Sequence, residues 1–279
     1  MSTLLYQIHS ATPIQMMSYV IKTENGKLIV VDGGNTADAC SLLDFLYSLT
    51  NGEKPTIDCW FITHSHTDHA DALGEIMKNS FDKLEVKKVV WHLIDDDFFN
   101  RVQAPAYAKE STDIIEKMLG DAVYVAEVGD KITVDNVEFE IIYVSEDKFE
   151  YDLINNTSMA FIMRAEGQKV LFLGDLAEEA GNRVLQMHSP EKLKCDIVQM
   201  AHHGQNGVNF DFYKAVKPKM CLWTTPKWLW DNDAGLGYNT HTFKTIETRS
   251  WMDELGVKHH VKEYEGTKEI TLPFDFSKK

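Results

Sequence analysis

His64, His66, Asp68 and His69 fall close together in the stretch Ile57–Ala72, IDCWFITHSHTDHADA. Imidazole nitrogen and carboxylate oxygen are donors that zinc and similar divalent ions accept, and His-x-His spacing in a loop lets two rings converge on one ion. Asp68 and His69, just beyond, are placed to reach a second ion nearby. The bland alternative is a surface loop rich in histidine by chance, and the density of ligand types argues against it. Two later segments repeat the arrangement. LFLGDLAEEAG (171–181) ends an apolar run in Gly174-Asp175, where a carboxylate offers two oxygens and can bridge two ions, although alone it would read as a helix cap. CDIVQMAHHG (195–204) ends in His202 and His203. Three strand ends carrying such residues make coincidence hard to sustain.

The elements that must position them alternate between short β-rich runs and amphipathic stretches. Runs at 4–9, 16–22 and 27–31 read as an opening meander, the third ending at Asp32, which either accepts a hydrogen bond from behind the metal loop or caps a helix over about 37–50. The metal loop follows a strand at 57–62 and precedes a helix reaching about Asn79. Beyond a strand at 87–92, residues 95–119 read as helical with a break at Ala104-Pro105, and Phe98, Phe99 and Tyr107 either cover a pocket or pack on the core. Strands resume at 122–126, 131–134, 137–144, 158–165 and 168–173. After 195–200 come a strand at 219–223, a helix at about 242–255 and closing strands near 259–263 and 268–272. Trp223, Trp228, Trp230, Tyr238 and Trp251 make this last part aromatic, through a pocket wall or ordinary packing. No linker or low-complexity run divides residues 1–279, so one domain of two β-rich halves with helices outside is expected.

A 44% apolar content supports a sizeable core. No stretch approaches the roughly twenty apolar residues of a membrane span, and the first residues lack the pattern of a secretory leader, which points to the cytoplasm. Cys40, Cys59, Cys195 and Cys221 are scattered beside apolar segments, as expected of buried free thiols. The formal net charge of −15 disfavours extended nucleic acid and leaves a small-molecule substrate, including a small anion drawn by bound cations.

THSHTDHADA, LGD and AHHG, in that order along nearly the whole chain, resemble the metallo-β-lactamase superfamily. The resemblance implies an α/β fold, a four-layer αββα sandwich with the metal centre at one edge of the sheets, and hydrolysis by a metal-bound hydroxide. Asn155-Asn156-Thr157-Ser158, LFLGD, HHG and Tyr238-Asn239-Thr240-His241 look like the hydrolase domain of competence-type DNA-uptake proteins and its free-standing relatives, with Gln205 and Thr242 departing from that pattern. Carried over, the resemblance gives His64 and His66 to one ion and Asp68, His69 and His202 to the other, with Asp175 bridging. A further histidine usual before the bridging aspartate is absent, since none occurs between His92 and His188, and His203, water or substrate is left to complete the first ion. Asp68 is expected to orient the nucleophile, His241 to act on the leaving group, and His241, Asn156 and Ser158 to contact substrate.

The implied cofactors are two divalent ions, zinc first, with manganese and iron as alternatives. A phosphodiester or related small anionic ester is the expected substrate. The alternatives are a lactone, thioester or β-lactam, and, in a different class, a non-catalytic binding protein on the same fold.

Overall fold

Leu28–Val31, Cys59–Ile62 and Ala160–Met163 carry apolar residues without polar alternation, the pattern of strands buried on both faces. A computed structural model, which describes residues 2–93, 96–102, 107–146 and 149–277, places them in two mixed sheets packed face to face. The first contains β1 (Thr3–Gln7), β2 (Ser18–Lys22), β3 (Leu28–Asp32), β4 (Thr56–Phe61), β5 (Glu85–Val86), β6 (Val89–Trp91) and β7 (Val123–Val125). The second contains β8 (Lys131–Val134), β9 (Val137–Tyr143), β10 (Ala160–Ala165), β11 (Gln168–Phe172), β12 (Ile197–Gln199), β13 (Met220–Trp223) and β14 (His259–Lys262); β15 (Lys268–Leu272) returns to the first. The strand orders are β15-β1-β2-β3-β4-β6-β7, with β5 beside β4, and β14-β13-β12-β11-β10-β9-β8.

Alternate side chains leave each sheet in opposite directions. Ile29, Val31, Cys59 and Phe61 therefore meet Phe139, Phe161, Met163 and Phe172 between the sheets. Val30, Trp60 and Val89 face outward onto helices α1 (Ala39–Leu49) and α2 (Thr67–Asn79) through Leu42, Leu46, Leu73 and Ile76. A short α3 (Asp96–Arg101) precedes α4 (Tyr107–Leu119), whose Ile115 joins the same layer. On the opposite face, Ile162, Leu171 and Val198 pack against α5 (Glu178–Met187), α7 (Phe210–Val216) and α9 (Thr245–Glu254), with α6 (Pro190–Leu193) and α8 (Lys227–Trp230) as short connections. This is the expected αββα arrangement.

Phe98 and Phe99 are buried, whereas the break at Ala104-Pro105 and the Tyr107 side chain lie outside the described residues. All four cysteines are free, but Cys40 is exposed rather than buried, because it sits on the outward side of α1. Among the described residues no helix is long and apolar enough to cross a membrane.

Strand direction positions the site. β3 and β4 pair in parallel, as do β11 with β12 and β12 with β13. Parallel neighbours end on the same edge, so Asp32, the 64–69 loop, Asp175, the 202–203 turn and Thr224 emerge together. Crevices at the carboxyl ends of parallel strands are the usual ligand sites of α/β sheets.

Candidate metal centre

Asp32 closes β3 in the left-handed region, at φ +55°, and turns a fully buried carboxylate toward the metal loop. Its Oδ1 accepts the Thr63 N–H at 2.8 Å, and its Oδ2 accepts the Thr63 hydroxyl and His69 Nδ1–H at 2.7 Å each. Of the two roles the sequence leaves open for Asp32, the structure shows support of the loop. The proton held on His69 Nδ1 leaves Nε2 with its lone pair directed into the site.

Two groups of ligand-type side chains result. Asp68, His69, Asp175 and His203 form one, and His64, His66 and Asp175 the other. In the first group His69 Nε2 lies 3.3 Å from Asp175 Oδ1, while His203 Nε2 lies 3.1 Å from Asp68 Oδ2 and 3.4 Å from Asp175 Oδ2. The Thr224 carbonyl accepts from His203 Nδ1 at 2.8 Å and so fixes this ring's tautomer too. In the second group His64 Nε2 and His66 Nδ1 approach to 3.0 Å, and Asp175 Oδ2 lies 4.0 Å from His64 Nε2. Asp175 thus presents one oxygen to His69 and the other to His64 and His203.

The grouping expected for the histidine pair is corrected. His203, not His202, joins Asp68 and His69. His202 Nε2 lies 4.0 Å from Asp175 Oδ2, the distance at which His64 stands from the same oxygen, and 3.3 Å from Asn155 Nδ2. His202 and His203 both have positive φ, 50° and 53°, which turns the chain sharply after β12. Gly204 follows at φ +77°, and a β-carbon there would lie 2.5 Å from the Trp223 ring.

Asn156 and Ser158 are fully buried and serve the Asp175 turn, not an open substrate surface. Ser158 Oγ accepts the Asp175 N–H at 3.0 Å, and Asn156 Oδ1 accepts the N–H groups of Ala177 and Ala180 at 3.1 and 3.3 Å, capping α5. The capping role that Asp175 alone would suggest is filled by Asn156, which leaves the aspartate free for the site. Gly174, at φ +54°, allows the close approach: a β-carbon there would lie 2.9 Å from both Ser158 and Thr63. His241 stands apart, its ring stacked on Phe243 at 3.8 Å and its Nδ1 accepting the Thr242 N–H. Among the described residues it makes no hydrogen bond or ion pair with the cluster. Of the tail aromatics, Trp223 is core, Trp228 Nε1 donates to the Pro13 carbonyl, and Trp251 packs on Phe210.

Three residues carried no motif signal. Gln199, fully buried, accepts from Leu173 N–H and donates to the Gly174 and Met200 carbonyls, locking the ends of β11 and β12 together. Gln15 Nε2 donates to Asp68 Oδ2 at 3.3 Å, and its Oε1 accepts from Gln205 Nε2 at 3.4 Å. The third is Thr224, whose contact is through its backbone.

Electrostatics sharpen the picture. Burial alone would raise the Asp68 and Asp175 pKa values, but His69 and His203 outweigh it and hold both carboxyls below their usual range. Burial alone would lower His203, yet Asp175 and Asp68 push it up to about 10. His64 is driven down by burial and by His69 and His66. Cationic charge is therefore favoured between the two carboxylates. His69 Nε2, Asp175 Oδ1 and His203 Nε2 are buried without hydrogen-bond partners among the described residues, although buried polar atoms are nearly always satisfied. Ligand atoms of these types, within 4.8 Å of one another in each group, fit a divalent ion, and the shared Asp175 fits a dinuclear site.

A family model described as the metallo-β-lactamase superfamily matches residues 11–210. Among solved structures, the metallo-β-lactamase fold protein YhfI from Bacillus subtilis aligns with a TM-score of 0.53 at 12% identity, over 93% of this chain and 95% of that one. CmlA, a diiron β-hydroxylase from Streptomyces venezuelae, aligns with a TM-score of 0.59 at 11% identity, over 97% of this chain but 54% of its own length. No curated protein matches the sequence significantly. With two sheets, flanking helices and a buried His/Asp cluster at the shared strand edge, this chain belongs to the metallo-β-lactamase superfamily.

Proposed function

We propose that the protein is a metal-dependent hydrolase of a phosphodiester or related small anionic ester, with a lactone, thioester or β-lactam as the alternative substrate class. The observation that carries the reading is the convergence of His69 Nε2, Asp175 Oδ1 and His203 Nε2, all buried and without a hydrogen-bond partner among the described residues. Asp68, His69, His203 and Asp175 would hold one ion and His64, His66 and Asp175 the other, with His202 beside the second set. Such ions lower the pKa of bound water from 15.7 to roughly 7 and polarise an ester oxygen. Zinc suits these donors, as do manganese and iron, and the likeness to a diiron protein keeps iron among the candidates.

The chain's own residues supply orientation. Asp32 and the Thr224 carbonyl fix the His69 and His203 tautomers. Gln15 gives Asp68 Oδ2 a donor from outside the ligand set, which sets the plane of that carboxylate. Ser158 and Asn156 hold the turn that presents Asp175. His241, with Nδ1 occupied by the Thr242 N–H and its proton on Nε2, is retained as a substrate-contacting group.

Elemental analysis of protein purified without chelator, combined with turnover of bis(p-nitrophenyl) phosphate against lactone and thioester panels, tests the proposal. We expect bound divalent metal and preferential phosphodiester turnover. His203→Ala should lose the ion of the Asp68 set, and His202→Ala should weaken the His64 set alone. Metal-free folded protein with no turnover would refute the hydrolase reading, and lactone or thioester turnover alone would replace the substrate class.

A further inference from the structure

A cleft of about 330 Å³ outside the metal centre is lined by Trp223, Trp230 and His260, by Arg249, Lys258 and Lys262, and by one carboxylate, Asp253. Acidic side chains outnumber basic ones 43 to 28 in this protein, yet here the balance is reversed. Two of the three cations are also not consumed by ion pairing among the described residues. Arg249 Nη1 donates to the Trp230 carbonyl at 3.0 Å, and the guanidinium lies 4.1 Å from the centre of the Trp230 ring. An uncharged carbonyl and a ring face therefore hold it in place without neutralising it. Among the described residues neither Arg249 nor Lys258 forms an ion pair. Lys262 lies 5.1 Å over the same ring, and its one ion pair among the described residues is with Glu265, an exposed residue that does not line the cleft.

Apart from Asp253, the remaining wall is aromatic and carries no charge. His260 accepts from Trp223 Nε1–H at 3.1 Å through Nδ1 and donates to the Val257 carbonyl at 3.2 Å through Nε2, which defines a neutral ring with both nitrogens occupied. Trp223 is fully buried and meets Trp230 edge-on, with centroids 5.2 Å apart at 86°. Trp223 also packs against Gly204, so it stands between the cleft and the turn that bears His202 and His203.

We propose that this cleft binds a small phosphate-bearing anion, with Arg249 as its anchor and Lys258 and Lys262 as supporting charges. The guanidinium fork matches phosphate oxygens, four of its five N–H donors remain after the bond to Trp230, and its fixed position lowers the ordering cost of binding. Asp253 is the one group in the lining that opposes an anion.

The test is a titration of the metal-loaded protein with inorganic phosphate at constant ionic strength, read by tryptophan fluorescence, with glycerol phosphate in a second arm. Saturable binding is expected. Arg249→Gln should weaken it by about tenfold or more, as for loss of a hydrogen bond between charged groups. Lys258→Gln should weaken it less, and Asp253→Asn should tighten it. The last two residues are exposed, so these variants keep the test decisive even if Arg249→Gln folds poorly. Tighter binding of glycerol phosphate would assign the cleft to phosphate monoesters, and tighter binding of phosphate to the free ion. Absence of saturable binding, or binding equal in the parent and all three variants, would overturn the proposal; the latter result would place the anion at the metal centre.

Discussion

Replacing Asp32 by Asn tests how the centre is held from behind. Asparagine tolerates the left-handed region, so φ +55° adds little strain, whereas alanine would confound the result with a backbone penalty. The new side chain keeps its shape but must offer an NH2 where the carboxylate offered an oxygen. If its carbonyl stays on the Thr63 N–H, the NH2 faces the Thr63 hydroxyl and His69 Nδ1. The hydroxyl can rotate and accept. His69 can comply only by moving its proton to Nε2, the atom 3.3 Å from Asp175 Oδ1, and a protonated Nε2 cannot ligate. The lost interaction is a hydrogen bond to a charged, buried acceptor, about 1.5–3 kcal/mol. At 1.4 kcal/mol per tenfold this is roughly 10–100-fold in metal affinity, the range found when partners of metal-bound histidines are removed. Competition with a chromophoric chelator should show one equivalent weakened by that factor while the His64 and His66 equivalent is retained. Unchanged affinity of both equivalents in a folded Asp32→Asn protein would refute the tautomer argument.

Asn156→Ala should cost about 0.5–2 kcal/mol through the lost cap on α5, seen as a lower denaturant midpoint with unchanged metal content; unchanged stability with lost substrate affinity would return Asn156 to a substrate role. Glu140 accepts from Lys192 and pairs with Arg164 at 2.7 Å. Burial acts to raise its pKa, but Lys192 and Arg164 outweigh it and depress it. A carboxylate depressed in the folded state contributes stability above its unfolded pKa, near 4.3, and loses it as pH falls through the folded value. Glu140→Gln should therefore lower stability by roughly 0.5–1 kcal/mol at neutral pH, after screening, with the gap from the parent closing below about pH 4 in urea titrations. A pH-independent gap would mean that the ion pairs are not its source.

The layered fold is readable because its strands are short apolar runs with turns between them, and the first ligand motif because all its members leave one strand end. The bonds that Asn156 and Ser158 make to the Asp175 turn are not legible in the sequence, for a physical reason. A polar side chain beside a metal-site turn satisfies either a ligand or the turn's own N–H groups, and residue type does not distinguish them. The decision lies in the distance to Asp175 N, Ala177 N and Ala180 N, on a segment about twenty residues away. Gln199 and Gln15 were silent for the same reason, since each acts through partners supplied by tertiary packing.

The His202–His203 pair was the harder case, because its geometry contradicts what neighbouring residues on a strand end ordinarily do. In extended backbone, successive side chains point to opposite faces, and one of the two rings would leave the site. Here both residues take φ near +50°, and both Nε2 atoms come within 4.0 Å of Asp175 Oδ2. Left-handed backbone in a non-glycine residue costs on the order of 1–2 kcal/mol each, so the turn persists only where its surroundings determine it. They do so from three directions: the Gly174 carbonyl accepts from His202 N–H, the Thr224 carbonyl accepts from His203 Nδ1, and Thr225 Oγ1 donates to the His203 carbonyl. Each of these partners lies at the end of a parallel strand, β11 or β13. The strain that brings two adjacent histidines to one carboxylate is thus offset by the same sheet edge that assembles the centre.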